Sequence, residues 1–332
     1  GIPVERTNRP RLRREDGSTQ RYLLSSALQY IARDDLELNL TGVLALDNRD
    51  VFFQQLVPLF SGGSPAPVLT ILGQTDNTID QILAENARVE ANHTWQQEER
   101  ESYALTGDFN WDFSDDILVK GALHYTAGQF DMTERLRVLG IRSDIQVDMD
   151  VNNPVFTSNG LNPVNDPQSW DVTNLFRNDL QGRVDVDATD ELAMQLDLEY
   201  TLDNDYIDVV KFGFKHRVQT FETSSSRYNA NFRDDDVFLA PFDSVADSHI
   251  VVDDFSGGQF PGLSLNYVLP NILEAVESYG KPEEVMEEMR QANEFFEIDR
   301  DITSLYAQID FSVGKLRGNA GIRYAYTDRT VH

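Results

Sequence analysis

Between Glu191 and Arg217 the chain carries a pattern that few folds accommodate. Leu192, Met194, Leu196, Leu198 and Tyr200 point one way, and Ala193, Gln195, Asp197 and Glu199 the other. A period of two kept without an error is the signature of a strand whose faces meet different environments. Asp203-Asn204-Asp205 then supplies residues that tolerate left-handed backbone and bond their own main chain, which predicts a turn. The return strand sets Val210, Phe212 and Phe214 against Val209, Lys211, Gly213 and Lys215. A hairpin of this kind belongs either to a soluble sheet or to a membrane barrel.

The same unit recurs three more times. Residues 1–20 are polar and Arg-rich (Arg6, Arg9, Arg11, Arg13, Arg14), and from Arg21 the chain alternates, with Tyr22, Leu24, Leu28 and Tyr30 on one face. Arg33-Asp34-Asp35 turns it, and Leu36, Leu38, Leu40, Leu44 and Leu46 return opposite Glu37, Asn39 and Thr41. Tyr103, Leu105, Phe109, Trp111 and Phe113 begin the next unit, Ser114-Asp115-Asp116 turns it, and Ile117, Val119, Leu123 and Tyr125 come back. In the last, Leu305, Ala307, Ile309 and Phe311 pair with Leu316, Ala320, Ile322, Tyr324 and Tyr326 across Ser312-Val313-Gly314-Lys315. The connections between units are long: 47–101, 127–190 and 220–304.

Short turns at one end of the sheet and long connections at the other, joined by strands of about 9–11 residues, describe a transmembrane barrel. A soluble meander has no reason to segregate its connections by length. The expected fold class is therefore all-β: an antiparallel transmembrane β-barrel segment, about eight strands of a larger barrel, with long extracellular loops. Leu180, Val184 and Val186 also alternate, but a further membrane strand there would reverse the parity of every later turn. That segment is expected as an extension or small hairpin above the membrane. The third connection carries short helices of its own. One runs from Pro270 to Tyr279 and stops at Gly280, and a second starts at Lys281-Pro282 with Val285, Met289, Ala292 and Phe296 on one face.

Composition narrows the partners. No apolar run approaches the ~20 residues of a membrane helix, a test that alternating barrel strands escape. The net charge of -28, from 56 acidic and 28 basic residues, repels nucleic-acid phosphates and argues against DNA or RNA binding. Without cysteine there is no disulfide framework or thiolate metal site.

Particular segments resemble a known family. Leu316-Arg317-Gly318-Asn319-Ala320-Gly321-Ile322-Arg323-Tyr324 followed by Thr327-Asp328, with Phe296-Glu297-Ile298 and Tyr306 to Phe311 before it, is similar to the barrel domain of TonB-dependent receptors. Val210 to Arg217 looks like another recurrent strand of that family, with Phe214, Lys215 and His216 where Val, Arg and Tyr are common. The turns Arg33 to Leu36 and Ser114 to Ile117 look like its periplasmic turns. The resemblance implies uptake across the outer membrane of a Gram-negative bacterium. Its partners would be outer-membrane lipid, a plug domain, the TonB complex and a small-molecule nutrient. Barrels of these transporters have about 22 strands and a plugged lumen, so the chain is expected to be an internal barrel piece without plug or final strands.

Candidate site residues divide by chemistry. Catalysis finds no support: His93, His124, His216, His249 and His332 are scattered, and no nucleophile elbow occurs. No cofactor is expected, and no enzyme activity. Asp148-Met149-Asp150-Val151-Asn152 starts like a calcium loop, but Asn153 stands where the turn glycine belongs and Asn159 where a bidentate Glu is needed. Asp234, Asp235 and Asp236 open a denser acidic stretch, which is either a structural calcium site or a solvated face. Loop aromatics Trp95, Trp170, Tyr228 and Phe255 are candidates to stack on a ligand or to anchor their loops. Alternation sends Lys120, His124, Gln195, Asp197, Lys211, Lys215, Arg317, Asn319 and Arg323 to the lumen, and of these Arg317 and Arg323 are further ligand candidates. Net acidity suits a neutral carbohydrate better than an anionic ferric siderophore. Two other readings stand beside this one, a passive porin-like channel and a soluble acidic calcium-binding β-protein.

Overall fold

The computed structural model describes residues 12–61, 64–76, 78–148, 155–159, 166, 169, 175–202, 204–231, 249–252, 267–279 and 294–332. Its strands are β1 (Leu12–Arg33), β2 (Leu36–Leu59), β3 (Val68–Thr75), β4 (Thr78–Ser114), β5 (Ile117–Asp148), β6 (Val155–Asn159), β7 (Leu175–Thr201) and β8 (Ile207–Asn231). β9 (His249–Val252), β10 (Tyr267–Pro270), helix α1 (Ile272–Tyr279), β11 (Glu294–Val313) and β12 (Leu316–Val331) follow. One sheet runs β1-β2-β4-β5-β7-β8-β11-β12, with β3 added to β4 and β6 to β5, while β9 and β10 pair separately. Those eight path strands are the eight read from alternation, and every pairing is antiparallel.

The turns follow from local chemistry. Asn204 accepts hydrogen bonds through Oδ1 from the backbone N–H groups of Tyr206 and Ile207, both at 2.8 Å, which closes the turn after β7. Gly314 has φ 63° in the turn between β11 and β12, a left-handed conformation that glycine adopts without penalty.

Register converts each alternating strand into a two-faced sheet. Val119, Leu198, Phe212, Ala307 and Ile322 form one row across five strands. The neighbouring row is Lys120, Asp197, Gly213, Tyr306 and Arg323. On the apolar face Leu196, Leu305 and Ile322 are 50%, 54% and 76% exposed, a surface that water would drive into aggregation and lipid would solvate. From Leu36 to Leu46 the band spans about 34 Å of strand. At a tilt near 45° that gives about 24 Å, close to the ~25 Å band of outer-membrane barrels. Tyr22, Tyr103 and Tyr125 mark one rim, where the Tyr103 and Tyr125 rings stand 5.9 Å apart. Trp111 and Phe113 mark the other rim, packed edge to face at 4.9 Å.

The connections differ from expectation. Much of 47–101, 127–190 and 220–304 is strand: β2 continues to Leu59, β4 begins at Thr78, β5 ends at Asp148, β7 starts at Leu175, β8 ends at Asn231 and β11 starts at Glu294. Beyond the band both faces carry polar residues, so the hydrophobic contrast fades while the backbone ladder persists. The Leu180 to Val186 segment lies inside β7 as an extension and leaves the turn parity intact. In the third connection α1 covers Ile272–Tyr279 within the predicted helix. Phe296, placed on the second helix, stands instead on β11, where Thr223 of β8 is its register partner. Residues 281–293 of that helix lie outside the described residues.

The core sits in this extension. Leu56, Ala87, Val89, Ala91, Leu139, Ile141, Ile145 and Val147 are buried together with Leu269 of β10. A second cluster joins Leu180 and Tyr228 to Ile272 and Ala275 of α1, with Phe52, Trp95 and Val184 against it. An unbroken ladder from Ala87 to Asp112 puts Val89 and Ala91 on the same face as Tyr103 and Leu105. Along one face, then, lipid-type residues give way to residues covered by the chain's own β10 and α1.

Candidate functional site

The polar face of β5, β7, β8 and β11 is a hydrogen-bonded ladder. Lys120 Nζ lies 2.7 Å from Glu199, whose other oxygen is 4.0 Å from Lys211 Nζ, and Lys211 is 2.9 Å from Asp310. Gln308 Nε2 donates to Asp310 at 2.8 Å. These groups are partly exposed, and each such pair contributes at most about 1 kcal/mol. Their role is to fix side-chain positions on the wall.

Above that ladder lies a groove of about 500 Å³ lined by Gln195, Asp197, Lys215, Tyr306, Gln308 and Arg323, among others. Tyr306 OH donates to Asp197 at 2.9 Å, and Gln195 Nε2 donates to the other carboxylate oxygen at 2.6 Å. Tyr306 faces Gly213 in register, and a Cβ on Gly213 would collide with the ring and with Asp197. The missing side chain makes room for the ring to lie flat on the backbone. Phe109 over Gly121 and Phe311 over Gly318 repeat the device on the apolar face. Gly213→Val is expected to destabilise the barrel by about 1–3 kcal/mol through overpacking, and Gly213→Val with Tyr306→Ala to recover part of it. Urea unfolding in lipid vesicles reads both variants; equal loss in the single and double variants would refute the close approach.

The polar face of the extension is also ion-paired. Arg49 reaches Glu15 at 2.6 Å and Glu98 at 3.5 Å, and Arg100 reaches Glu98 at 2.9 Å. Arg177 bridges Glu90 at 2.8 Å and Asp179 at 2.7 Å, and Arg183 holds Asp185 at 2.7 Å. Burial pushes the Glu134 carboxyl up, with Arg183 pulling it back and Asp185 adding to the rise.

The candidate residues separate on inspection. Trp95 stands on β4, its ring stacked on Phe52 at 6.0 Å with the Arg135 guanidinium 4.6 Å from its centroid, and its Nε1 donates to Asp50 at 2.6 Å. Tyr228 stands on β8 and is buried with Leu180, Ile272 and Ala275. Both were expected in loops; both are strand residues engaged inside the protein. Arg323 lines the groove and donates to Ser304 Oγ at 3.4 Å, while Arg317 is exposed lower on β12. Trp170, Phe255, Asp234, Asp235 and Asp236 lie outside the described residues. Among the described residues no three His, Asp or Glu side chains come together to hold a metal ion.

His93 was not singled out for a position of this kind. Its Nδ1 lies 3.0 Å from the Pro270 carbonyl and 3.2 Å from the Ile272 N–H, at the start of α1. Its Nε2 is buried and has no hydrogen-bond partner among the described residues. Burial pulls the ring down to a pKa of about 4, against a smaller upward pull from the Pro270 carbonyl.

A comparison with protein families matches residues 141–332 to the TonB dependent receptor-like β-barrel. The match takes in more than half of the chain, from the upper end of β5 through β12. The chain belongs to this family. A search of curated proteins returns no match. For a TonB-dependent receptor barrel the polar face is the lumen wall and the apolar face meets the lipid of the outer membrane. The family's members are transporters. The two core clusters then belong to the wall beyond the bilayer, with lipid replaced by β10 and α1 as the cover.

Proposed function

We propose that the chain is wall of an outer-membrane receptor that takes up a scarce nutrient, a carbohydrate in preference to a ferric siderophore. Capture is at the end of the long connections, and release inward follows movement of a plug domain pulled by the TonB complex. No covalent step is required. The observation that carries the substrate reading is the neutralisation of cations along much of the lumen wall. Arg49, Arg100, Lys120, Arg177, Arg183 and Lys211 each have a carboxylate within 4.0 Å. A polar wall with its charges satisfied, carrying amide and phenol groups such as Gln195, Gln308 and Tyr306, suits the hydroxyls of a sugar.

Uptake by cells that carry or lack the gene tests this. Labelled oligosaccharide is expected to enter only when both the receptor and an energised TonB complex are present, with ferric siderophore uptake unchanged by the deletion. Entry that persists without TonB makes the protein a passive channel. Receptor-dependent uptake of the ferric chelate instead overturns the carbohydrate reading.

A further inference from the structure

We propose that a hollow on the lipid-facing side of β7, β8 and β11 is a binding site for one membrane phospholipid with an ethanolamine headgroup. The site lies on the face of the wall opposite the lumen and is independent of the cargo.

The hollow has a volume of about 510 Å³, and its apolar walls include Leu196, Leu198, Phe212, Phe214, Leu305 and Ala307. Register explains its shape. Leu198, Phe212 and Ala307 share one row, and Leu196, Phe214 and Leu305 the next. Ala307 is the one short side chain among the six, so the surface dips there beside the Phe212 and Phe214 rings. A hydrocarbon chain fills such a dip without leaving a polar atom unsatisfied, and the volume is that of an ordinary ligand site. This face meets lipid along its whole width, which makes an acyl chain the occupant.

Toward the long connections the same face turns polar. Met194, His216 and Thr303 form the next row, about 7 Å along the strands. His216 Nδ1 is 2.9 Å from Thr303 Oγ1. With Nδ1 accepting from that hydroxyl, Nε2 carries the ring proton, and it has no partner among the described residues. Asp301 stands one row farther, opposite Val218, and is likewise unengaged among the described residues. A bare carboxylate at the edge of hydrocarbon is disfavoured, and a cation relieves it. Asp328, the register partner of Asp301, adds a second carboxylate. Alternation sends every Lys and Arg of β7, β8, β11 and β12 to the lumen, while Asp190, Glu222, Asp299, Asp301 and Asp328 face outward.

These groups match one headgroup. His216 and Asp301 are diagonal neighbours on adjacent strands, about 7–8 Å apart. A phosphate and the ammonium two carbons beyond it span that gap. The phosphate accepts from His216 Nε2, the ammonium donates to Asp301, and an acyl chain descends into the hollow. A headgroup without an amine offers Asp301 no cation and brings its own negative charge to an acidic surface.

The test is native mass spectrometry of the full-length receptor in detergent, offered phosphatidylethanolamine and phosphatidylglycerol with the same acyl chains. Phosphatidylethanolamine is expected to be retained about fivefold or more over phosphatidylglycerol, and Asp301→Asn to remove most of that preference. His216→Leu is expected to weaken both lipids alike. Ala307→Leu fills the hollow and is expected to reduce retention of both, and Ala307→Val repeats that reading with a milder filling. Equal retention of the two lipids by the native receptor overturns the proposal, as does a preference that survives Asp301→Asn. Retention that neither Ala307 variant changes overturns the hollow as the seat of the chain.

Discussion

Leu196→Arg is expected to cost the folded barrel about 2–4 kcal/mol in lipid. Leu196 is half exposed in the middle of the apolar face, in register with Gly121 and Phe214. An arginine there is set among the apolar side chains of the band and lipid, and its guanidinium meets polar surroundings only by stretching about 7 Å along the strand toward the Trp111 row at Leu198. Gln195→Arg, one residue away on the lumen face beside Asp197, is expected to change stability by less than about 1 kcal/mol. Folding titrations into vesicles measure both. If Leu196→Arg is as mild as Gln195→Arg, the apolar face does not contact lipid, and the soluble calcium-binding reading returns.

The second large effect is acid release of the β10–α1 segment. His93 is held neutral in the folded protein, with its pKa near 4 against about 6.5 when free. Protonation puts a hydrogen on both ring nitrogens, so that Nδ1 can no longer accept from the Ile272 N–H and the Nε2 hydrogen has no acceptor among the described residues. The sign follows: the stability that depends on neutral His93 is fully present above pH 6.5, falls as pH drops, and levels off below 4. Across that window the loss is about 3 kcal/mol. The charged groups on the elements around it are Arg135 and Arg137 on β5, Asp50 on β2 and Glu274 and Glu277 on α1. His93 faces Arg137 in register, which opposes a second positive charge. Hydrogen exchange over 267–279 is expected to accelerate between pH 7 and 4.5 in the native protein and to lose that dependence in His93→Gln. His249 is the register partner of Pro270, and His249→Gln should leave the step in place. A step that vanishes with His249→Gln and survives His93→Gln would reassign it.

Much of the barrel was legible because lipid enforces alternation. Leu192 to Tyr200 has one solvent on each side, so the period of two appears in the residue types themselves. The extension was less legible for a physical reason. Val89, Ala91, His93 and Trp95 do alternate with Arg88, Glu90, Asn92 and Thr94, but a histidine and an indole make a weak apolar row. Both faces there are buried to similar extents, and buried strands lose contrast. Trp95 and Tyr228 were chosen for aromatic chemistry, which says nothing about whether a ring is free; their stacking and burial come from strands far apart in sequence.

The ladder between β4 and β5 passes from the bilayer into the extension without a register shift from Ala87 to Asp112. An antiparallel ribbon bonded on both edges resists bending, and nothing at the membrane surface interrupts it. The wall therefore has no hinge between the lipid-solvated zone and the mouth, and acts there as a stiff stave. On the proposed function, closure over a ligand falls to the segments that join strands or to a plug domain. Spectroscopic labels at two heights on β4 would then keep a constant separation with and without ligand.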